Sequence, residues 1–288
     1  MTIGSIEKVF IEDLTPLYGA NEAASLALLS IEFICQVNRT EYLGAKNDQL
    51  TEHELTALHR VLTELKKSIP IQYVLGETEF YGLTFKVNPA VLIPRPETEE
   101  LVDWVLKDIK NLKISAQDLK IMDIGTGSGC IPISIKNNLP DAEVYGLDIS
   151  KMALDTAQTN AELNKASVAF IQQDILNDDH SDHKLSIIVS NPPYVTLTEK
   201  AEMHSNVLDN EPHLALFVPD EDPLKFYNAI ADFAIKHLQH PGFLYLEINE
   251  NLGQKTVQLL KGKGFNAIQL KKDLRDKDRM IRAQLNII

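Results

Sequence analysis

The stretch Lys120-Ile121-Met122-Asp123-Ile124-Gly125-Thr126-Gly127-Ser128-Gly129 decides how this 288-residue chain folds. Its first half is a short apolar run of strand length, and its second half is a glycine-rich turn that opens onto a helical pattern from Gly129. Glycine permits a tight turn and a close backbone approach, while the start of the following helix offers free N–H groups. Strand, glycine turn and helix in that order predict a nucleotide-like ligand. Downstream the alternation repeats: Glu143 to Leu147 and a helix from Lys151, then Val168 to Gln172, then Leu185 to Val189. Further strands are predicted at Phe243 to Ile248, Ala267 to Leu270 and Met280 to Leu285, with helices from Pro223 and Asn251. The fold class is therefore α/β, with a mostly parallel sheet flanked by helices. Val195 to Asp222 is the longest piece without clear periodicity, and reads either as a lid or binding loop or as an ordinary surface connection.

Upstream the pattern changes. From Ser5 to about Ser68 apolar residues recur at helical spacing, as in Ala23, Ala24, Ala27, Leu28, Ile31 and Ile34, which predicts a small N-terminal helical bundle. Thr51-Glu52-His53-Glu54 has the form of a capping box and starts a helix carrying Leu55, Leu58, Val61, Leu62 and Leu65. Glu79 to Val87 reads as two short strands about a turn containing Gly82. The expected organisation is a helical domain at residues 1–78, a β-hairpin linker at 79–90 and a ligand-binding α/β domain at 91–288.

Composition narrows the function classes. The net charge is −13, with 6 basic against 11 acidic residues in 1–78 and 22 against 30 in 79–288. Nucleic-acid binding draws on Lys and Arg to neutralise phosphate, so an acidic chain without a basic arm argues against a direct DNA or RNA substrate. No apolar run reaches the roughly 20 residues of a membrane-spanning helix, and the opening residues have neither a basic leader nor an apolar core. A cytoplasmic enzyme, acting as a monomer and away from the membrane, is expected. Cys35 and Cys130 are too few and too far apart for a disulfide framework or a cysteine zinc site, so both read as reduced core residues and no metal is expected.

Two further motifs carry chemistry. Asp148 ends the strand after the glycine loop, where a carboxylate can accept the ribose hydroxyls of an adenosine or cap the helix from Lys151. These features fit either a nicotinamide dinucleotide or S-adenosylmethionine, and the G-x-G-x-G spacing with Asp123 two residues before it leans to the latter. Asn191-Pro192-Pro193-Tyr194 directly follows the strand from Leu185. With a strand order 3-2-1-4-5, that strand and the one from Lys120 are neighbours at the switch point, so the tetrapeptide and the glycine loop face one cleft. Asn191 offers a side-chain carbonyl, Pro192 a backbone carbonyl and Tyr194 a flat ring, a set able to grip a planar NH2 group.

The glycine loop resembles that of the seven-stranded, Rossmann-like methyltransferases. That likeness implies S-adenosyl-L-methionine as cofactor, held by Gly125, Thr126, Gly127, Ser128, Gly129, Asp148, Asn191 and, flanking the adenine, Asp174 and Ile175. The tetrapeptide resembles those of enzymes that methylate exocyclic or amide nitrogens, among them DNA or RNA adenine-N6 and cytosine-N4 methyltransferases. Gln72 to Glu77, Glu79-Phe80-Tyr81-Gly82 and Val91-Leu92-Ile93-Pro94-Arg95-Pro96-Glu97-Thr98-Glu99 are similar to the signature of release-factor glutamine N5-methyltransferases, as are Glu211-Pro212, Ala215-Leu216-Phe217 and Asp278-Arg279. The resemblance implies methylation of the glutamine in the Gly-Gly-Gln motif of class 1 peptide chain release factors, with Asn191, Pro192 and Tyr194 catalytic, Pro193 completing the substrate grip, and the helical domain recognising the factor. Two positions depart from the family: Asn249 and Asp276 stand where glycine is common. Arg95 is read either as orienting the cofactor loop or as pairing with a carboxylate.

Overall fold

The computed structural model describes residues 1–112, 115–177, 181, 183–203 and 205–285. The chain divides into two compact units, one helical and one built on a sheet.

The helical unit contains α1 (Ile3–Tyr18), α2 (Ala20–Cys35), α3 (Arg39–Gly44), α4 (Glu52–Leu65) and α5 (Ile71–Leu75). Its core is Ile6, Phe10, Leu14, Ala27, Ile31, Leu58, Leu62 and their neighbours, one apolar stripe from each long helix. The expected capping box at α4 is present: Glu54 N–H donates to the Thr51 hydroxyl and the Thr51 N–H to the Glu54 carboxylate.

The sheet unit opens with the hairpin β1 (Glu77–Phe80) and β2 (Leu83–Lys86), followed by α6 (Pro96–Leu112). Proline at the first helical position and acidic residues in the first turn start α6 as its sequence demands. The alternation then unfolds as β3 (Lys120–Ile124), α7 (Cys130–Asn138), β4 (Glu143–Asp148), α8 (Lys151–Leu163), β5 (Ala169–Gln172) and β6 (Leu185–Ser190). Between β6 and the next long helix the chain forms only short pieces: β7 (Val195–Thr196), α9 (Ser205–Leu208) and β8 (Phe217–Val218). Of these, α9 groups with the helical unit, where Asn210 donates to the Ser68 carbonyl at 3.1 Å. The chain ends with α10 (Lys225–His237), β9 (Leu238–Glu247), α11 (Gly253–Gly262), β10 (Asn266–Lys272) and β11 (Asp278–Leu285).

Seven strands form one sheet in the order β10-β11-β9-β6-β3-β4-β5. Counted along the chain within that sheet, the first five run 3-2-1-4-5, as the sequence analysis expects, and all their pairings are parallel. The last strand, β11, inserts antiparallel between β9 and β10. One face of the sheet packs on α6, α7 and the hairpin aromatics Phe80 and Phe85, and the other on α10 and α11. Several side chains bind the hairpin to this unit: Glu99 accepts the Tyr81 N–H at 2.7 Å and Asn164 donates to the Thr84 carbonyl at 2.9 Å. Buried Asn160 of α8 exchanges hydrogen bonds with both backbone groups of Lys86, at 2.6 and 2.9 Å, and donates to the Ser128 carbonyl of the glycine turn at 2.9 Å. The topology places the switch point between β3 and β6, and there the chemistry-bearing loops converge.

Candidate active site

The glycine turn leaves β3 with all three glycines at positive φ: 75° at Gly125, 53° at Gly127 and 79° at Gly129. The N–H groups of Gly125 and Thr126 both donate to the Leu147 carbonyl of β4, at 2.8 and 2.9 Å. Asp148, one residue on, accepts the Gly127 N–H at 2.8 Å and the Ser150 N–H at 2.9 Å. Its carboxylate therefore holds the turn in shape. The cap of α8 is Ser150, whose side chain accepts from the Ala153 N–H, so the capping role falls two residues beyond Asp148. Burial raises the Asp148 pKa against those backbone donors.

A cavity of about 420 Å³ lies over this turn and is lined by Gly125, Gly127, Asp148, Asp174, Ile175, Asn191, Pro192 and Pro193 among others. Its size lies in the range of small-molecule and cofactor sites. Leu92, Leu147, Ile149, Ile175 and Phe226 give it apolar walls. Asp174 turns its carboxylate to its own loop, accepting from Leu176 N–H at 2.9 Å and Asn177 at 2.6 Å. Thr126, Ser128 and Gly129 are buried behind the turn and do not line the cavity. Behind Gly125 the two oxygens of Asp123 are fully buried with no well-formed hydrogen bond, and burial pushes this carboxyl up to about 7.

The tetrapeptide Asn191 to Tyr194 follows β6, whose last residue, Ser190, donates to the Ile124 carbonyl at 2.6 Å and so ties the two carboxyl ends together. Asn191 Nδ2 donates to Thr98 Oγ1 at 3.1 Å. Thr98 donates to Glu247 Oε2 at 2.7 Å, and the Tyr194 hydroxyl donates to the other oxygen, Glu247 Oε1, at 3.1 Å. Glu247 is fully buried at the end of β9, and burial raises its pKa. The Tyr194 hydroxyl is buried too, its pKa raised by that burial and by the Glu247 charge, so it remains a donor. Tyr194 lies outside the cavity lining, packed on the core beneath.

The structure gives each of three residues that the sequence singled out for other reasons a distinct role. Asn249, a departure from the family pattern, is buried and its Nδ2 donates to the Tyr194 carbonyl at 3.1 Å and to Glu199 at 2.9 Å. No glycine can make those bonds, so the asparagine secures both the tetrapeptide and the segment after it. Asp276, the other departure, has φ 63°, a left-handed conformation that glycine adopts freely and Asp tolerates. Arg95 pairs with the buried carboxylate of Glu211, which also accepts the Ile93 N–H at 3.2 Å. The pairing reading of Arg95 is the one the geometry supports. Thr98 and Glu247 were visible only as parts of longer motifs.

A family model described as the methyltransferase small domain matches residues 106–214, and one described as the PrmC N-terminal domain matches residues 16–76. Over 283 residues the chain is 47% identical to the release factor glutamine methyltransferase of Flavobacterium psychrophilum, covering 98% of this chain and 99% of that one. It is 43% identical over 273 residues to the protein of the same name from Bacteroides thetaiotaomicron, with 94% and 96% covered. Among solved structures, the 16S rRNA N2 G1207 methyltransferase of T. thermophilus, in complex with AdoMet and guanosine, matches with a TM-score of 0.53 at 18% identity, over 73% of this chain and 50% of that one. That last likeness is one of fold.

Proposed function

This chain belongs to the family of release factor glutamine methyltransferases, and we propose that it carries that activity by holding the glutamine amide of a class 1 release factor's Gly-Gly-Gln tip at Asn191-Pro192-Pro193-Tyr194. The enzyme methylates its protein substrate from S-adenosyl-L-methionine, which supplies an electrophilic methyl group when bound. The observation that carries the reading is the shared cavity: Gly125 and Gly127 of the glycine turn, Asp148, and Asn191, Pro192 and Pro193 of the tetrapeptide line one space of about 420 Å³. The chain's own chemistry fits this cofactor. A sulfonium compound with an ammonium group is cationic, and the site meets it with two carboxyl groups, half-buried Asp148 at the rim and fully buried Asp123 behind Gly125. Apolar Ile149 and Ile175 suit an adenine, and Asp148 stands where it can take ribose hydroxyls.

Held at the glycine turn and Asp148, the cofactor would supply a methyl group to the glutamine N5 and leave as the neutral thioether, while the nitrogen would give up one proton to water. An amide nitrogen is a poor nucleophile because its lone pair is delocalised into the carbonyl. Asn191 and the Pro192 carbonyl each accept one N–H, which favours the nitrogen as positive charge develops on it. Positioning of this kind can contribute roughly 7 to 11 kcal/mol to lowering a barrier. The helical unit is assigned to recognition of the factor outside its tip. A cytoplasmic, monomeric enzyme without a direct nucleic-acid substrate completes the reading. The −13 net charge supports the absence of a nucleic-acid substrate, and among the described residues no helix is long and apolar enough to cross a membrane.

The test is transfer of labelled methyl to purified release factor, beside a factor with the tip glutamine changed to alanine and beside duplex DNA. Label on the intact factor alone is expected; label on DNA would move the site to base methylation. Asn191→Ala should lower kcat roughly 100-fold with little change in cofactor Kd. Asp148→Ala should weaken cofactor binding roughly 10- to 100-fold, the worth of one charge-assisted hydrogen bond.

A further inference from the structure

We propose that Thr98 and Glu247 are positioning residues that set the direction in which the Asn191 amide faces, and thereby make the site select an NH2 group over an oxygen. This deepens the reading of the tetrapeptide given above and rests on it. An asparagine amide has nearly the same shape after a half-turn about its last bond, so shape alone does not decide whether its oxygen or its NH2 meets the substrate. Hydrogen-bond bookkeeping decides it. Glu247 sits between two hydroxyls, accepting from Thr98 at 2.7 Å and from Tyr194 at 3.1 Å. A threonine hydroxyl has one proton, and here that proton is committed to the carboxylate. Toward Asn191, 3.1 Å away, Thr98 can therefore only accept. Asn191 must present its NH2 to Thr98, which leaves Oδ1 as the face it offers to a ligand.

The chain of dependence runs from a carboxylate at the end of β9, through a hydroxyl in the first turn of α6, to the amide after β6. Thr98 and Glu247 are both buried, so solvent does not scramble the pattern. The consequence is discrimination. A glutamine side chain donates two N–H groups into an acceptor-only grip, whereas a glutamate carboxylate at the same place would face Asn191 Oδ1 with no proton between them. Tyr194 is fixed by the same carboxylate, so one buried charge orients two members of the grip.

The proposal predicts a separation between isosteric variants. Thr98→Val keeps the volume and removes the acceptor, freeing the Asn191 amide to turn; Thr98→Ser keeps the hydroxyl. Glu247→Gln offers Thr98 an NH2, which lets the Thr98 proton point to Asn191 and stabilises the reversed amide. With full-length enzyme and intact release factor, Thr98→Val and Glu247→Gln should each lose roughly 100-fold in kcat while cofactor Kd stays within about twofold, and Thr98→Ser should return to near the parent rate. Short peptides ending the comparison supply the specific readout: the preference for a Gly-Gly-Gln peptide over a Gly-Gly-Glu peptide as competitor should fall at least about tenfold in both impaired variants. An unchanged preference overturns the proposal, whether or not kcat falls, because a merely structural loss would weaken both peptides alike. If Thr98→Val does not fold, Glu247→Gln decides on the same readouts. Failure of the parent enzyme to label the factor's glutamine would count against the reading of the site, and is seen before any variant is made.

Discussion

Burial pushes the Asp123 carboxyl up to about 7, with the nearby charge of Asp148 adding to the shift and the Thr126 hydroxyl opposing it. An unfolded aspartate titrates near 3.9, so the folded chain binds this proton more tightly than the unfolded chain does. The sign follows: between about pH 4 and pH 7 the folded state loses stability as pH rises, and above the folded value the loss is complete. A shift of about three units corresponds to at most about 4 kcal/mol. The expected outcome is that Asp123→Asn, free of cofactor, is more stable than its parent at pH 8, with the gap closing as pH falls toward 4. Urea unfolding across that range checks it, and parallel curves for the two proteins would mean that the carboxylate is not destabilised in the fold. At this scale the sequence was legible wherever a motif concentrates the chemistry, as in the glycine turn and the tetrapeptide. It gave no sign that Thr98 and Glu247 meet, across a separation of 149 positions. Asn249 stood out as an irregularity, but its reason is a contact with Tyr194 that no local pattern encodes.

Among the elements, the glycine turn and α7 are held closely together. At Gly129, with φ 79°, an added Cβ would lie 2.9 Å from Ile133 Cδ1 and 3.1 Å from Ala157 Cβ, so α7 and α8 close on this point. Gly129→Ala combines left-handed backbone strain with overpacking, and should cost about 2 to 4 kcal/mol. A lower urea midpoint with an unchanged slope is the expected result; an unaltered midpoint would show that the helices can part there. Strands were legible to within a few residues where they are short and apolar on both faces, because a buried parallel strand is a continuous apolar run. β9 shows the limit. Its apolar run begins at Phe243, after Pro241, which has no N–H for the ladder, yet the strand reaches back to Leu238 and pairs there with Leu185 through an irregular register. β7 and β8 are two residues each, too short for any periodicity, and only their mutual pairing defines them.

For the molecule as a whole, the prediction concerns what the helical unit adds. A tripeptide tip is too small to distinguish one protein from another, so a short Gly-Gly-Gln peptide should be methylated with a kcat near that of the intact release factor and a KM at least about 100-fold higher, a difference of about 2.7 kcal/mol in binding. Equal KM values would remove the recognition role from the helical unit and confine selection to the cavity. The parallel strand order was legible because alternating strands and helices leave few arrangements. The insertion of β11 between β10 and β9 was not, since β11 pairs antiparallel with β9 across the whole of α11 and β10. The hairpin has a last consequence. Through Asn160 its Lys86 backbone and the carbonyl of Ser128 share one amide group, so the hairpin travels with the cofactor turn and not with the helices before it. Whoever exchanges the helical units of two such enzymes should join the parts at Gly76. A seam placed after Lys86 would import a foreign hairpin, and with it a foreign setting of the cofactor turn.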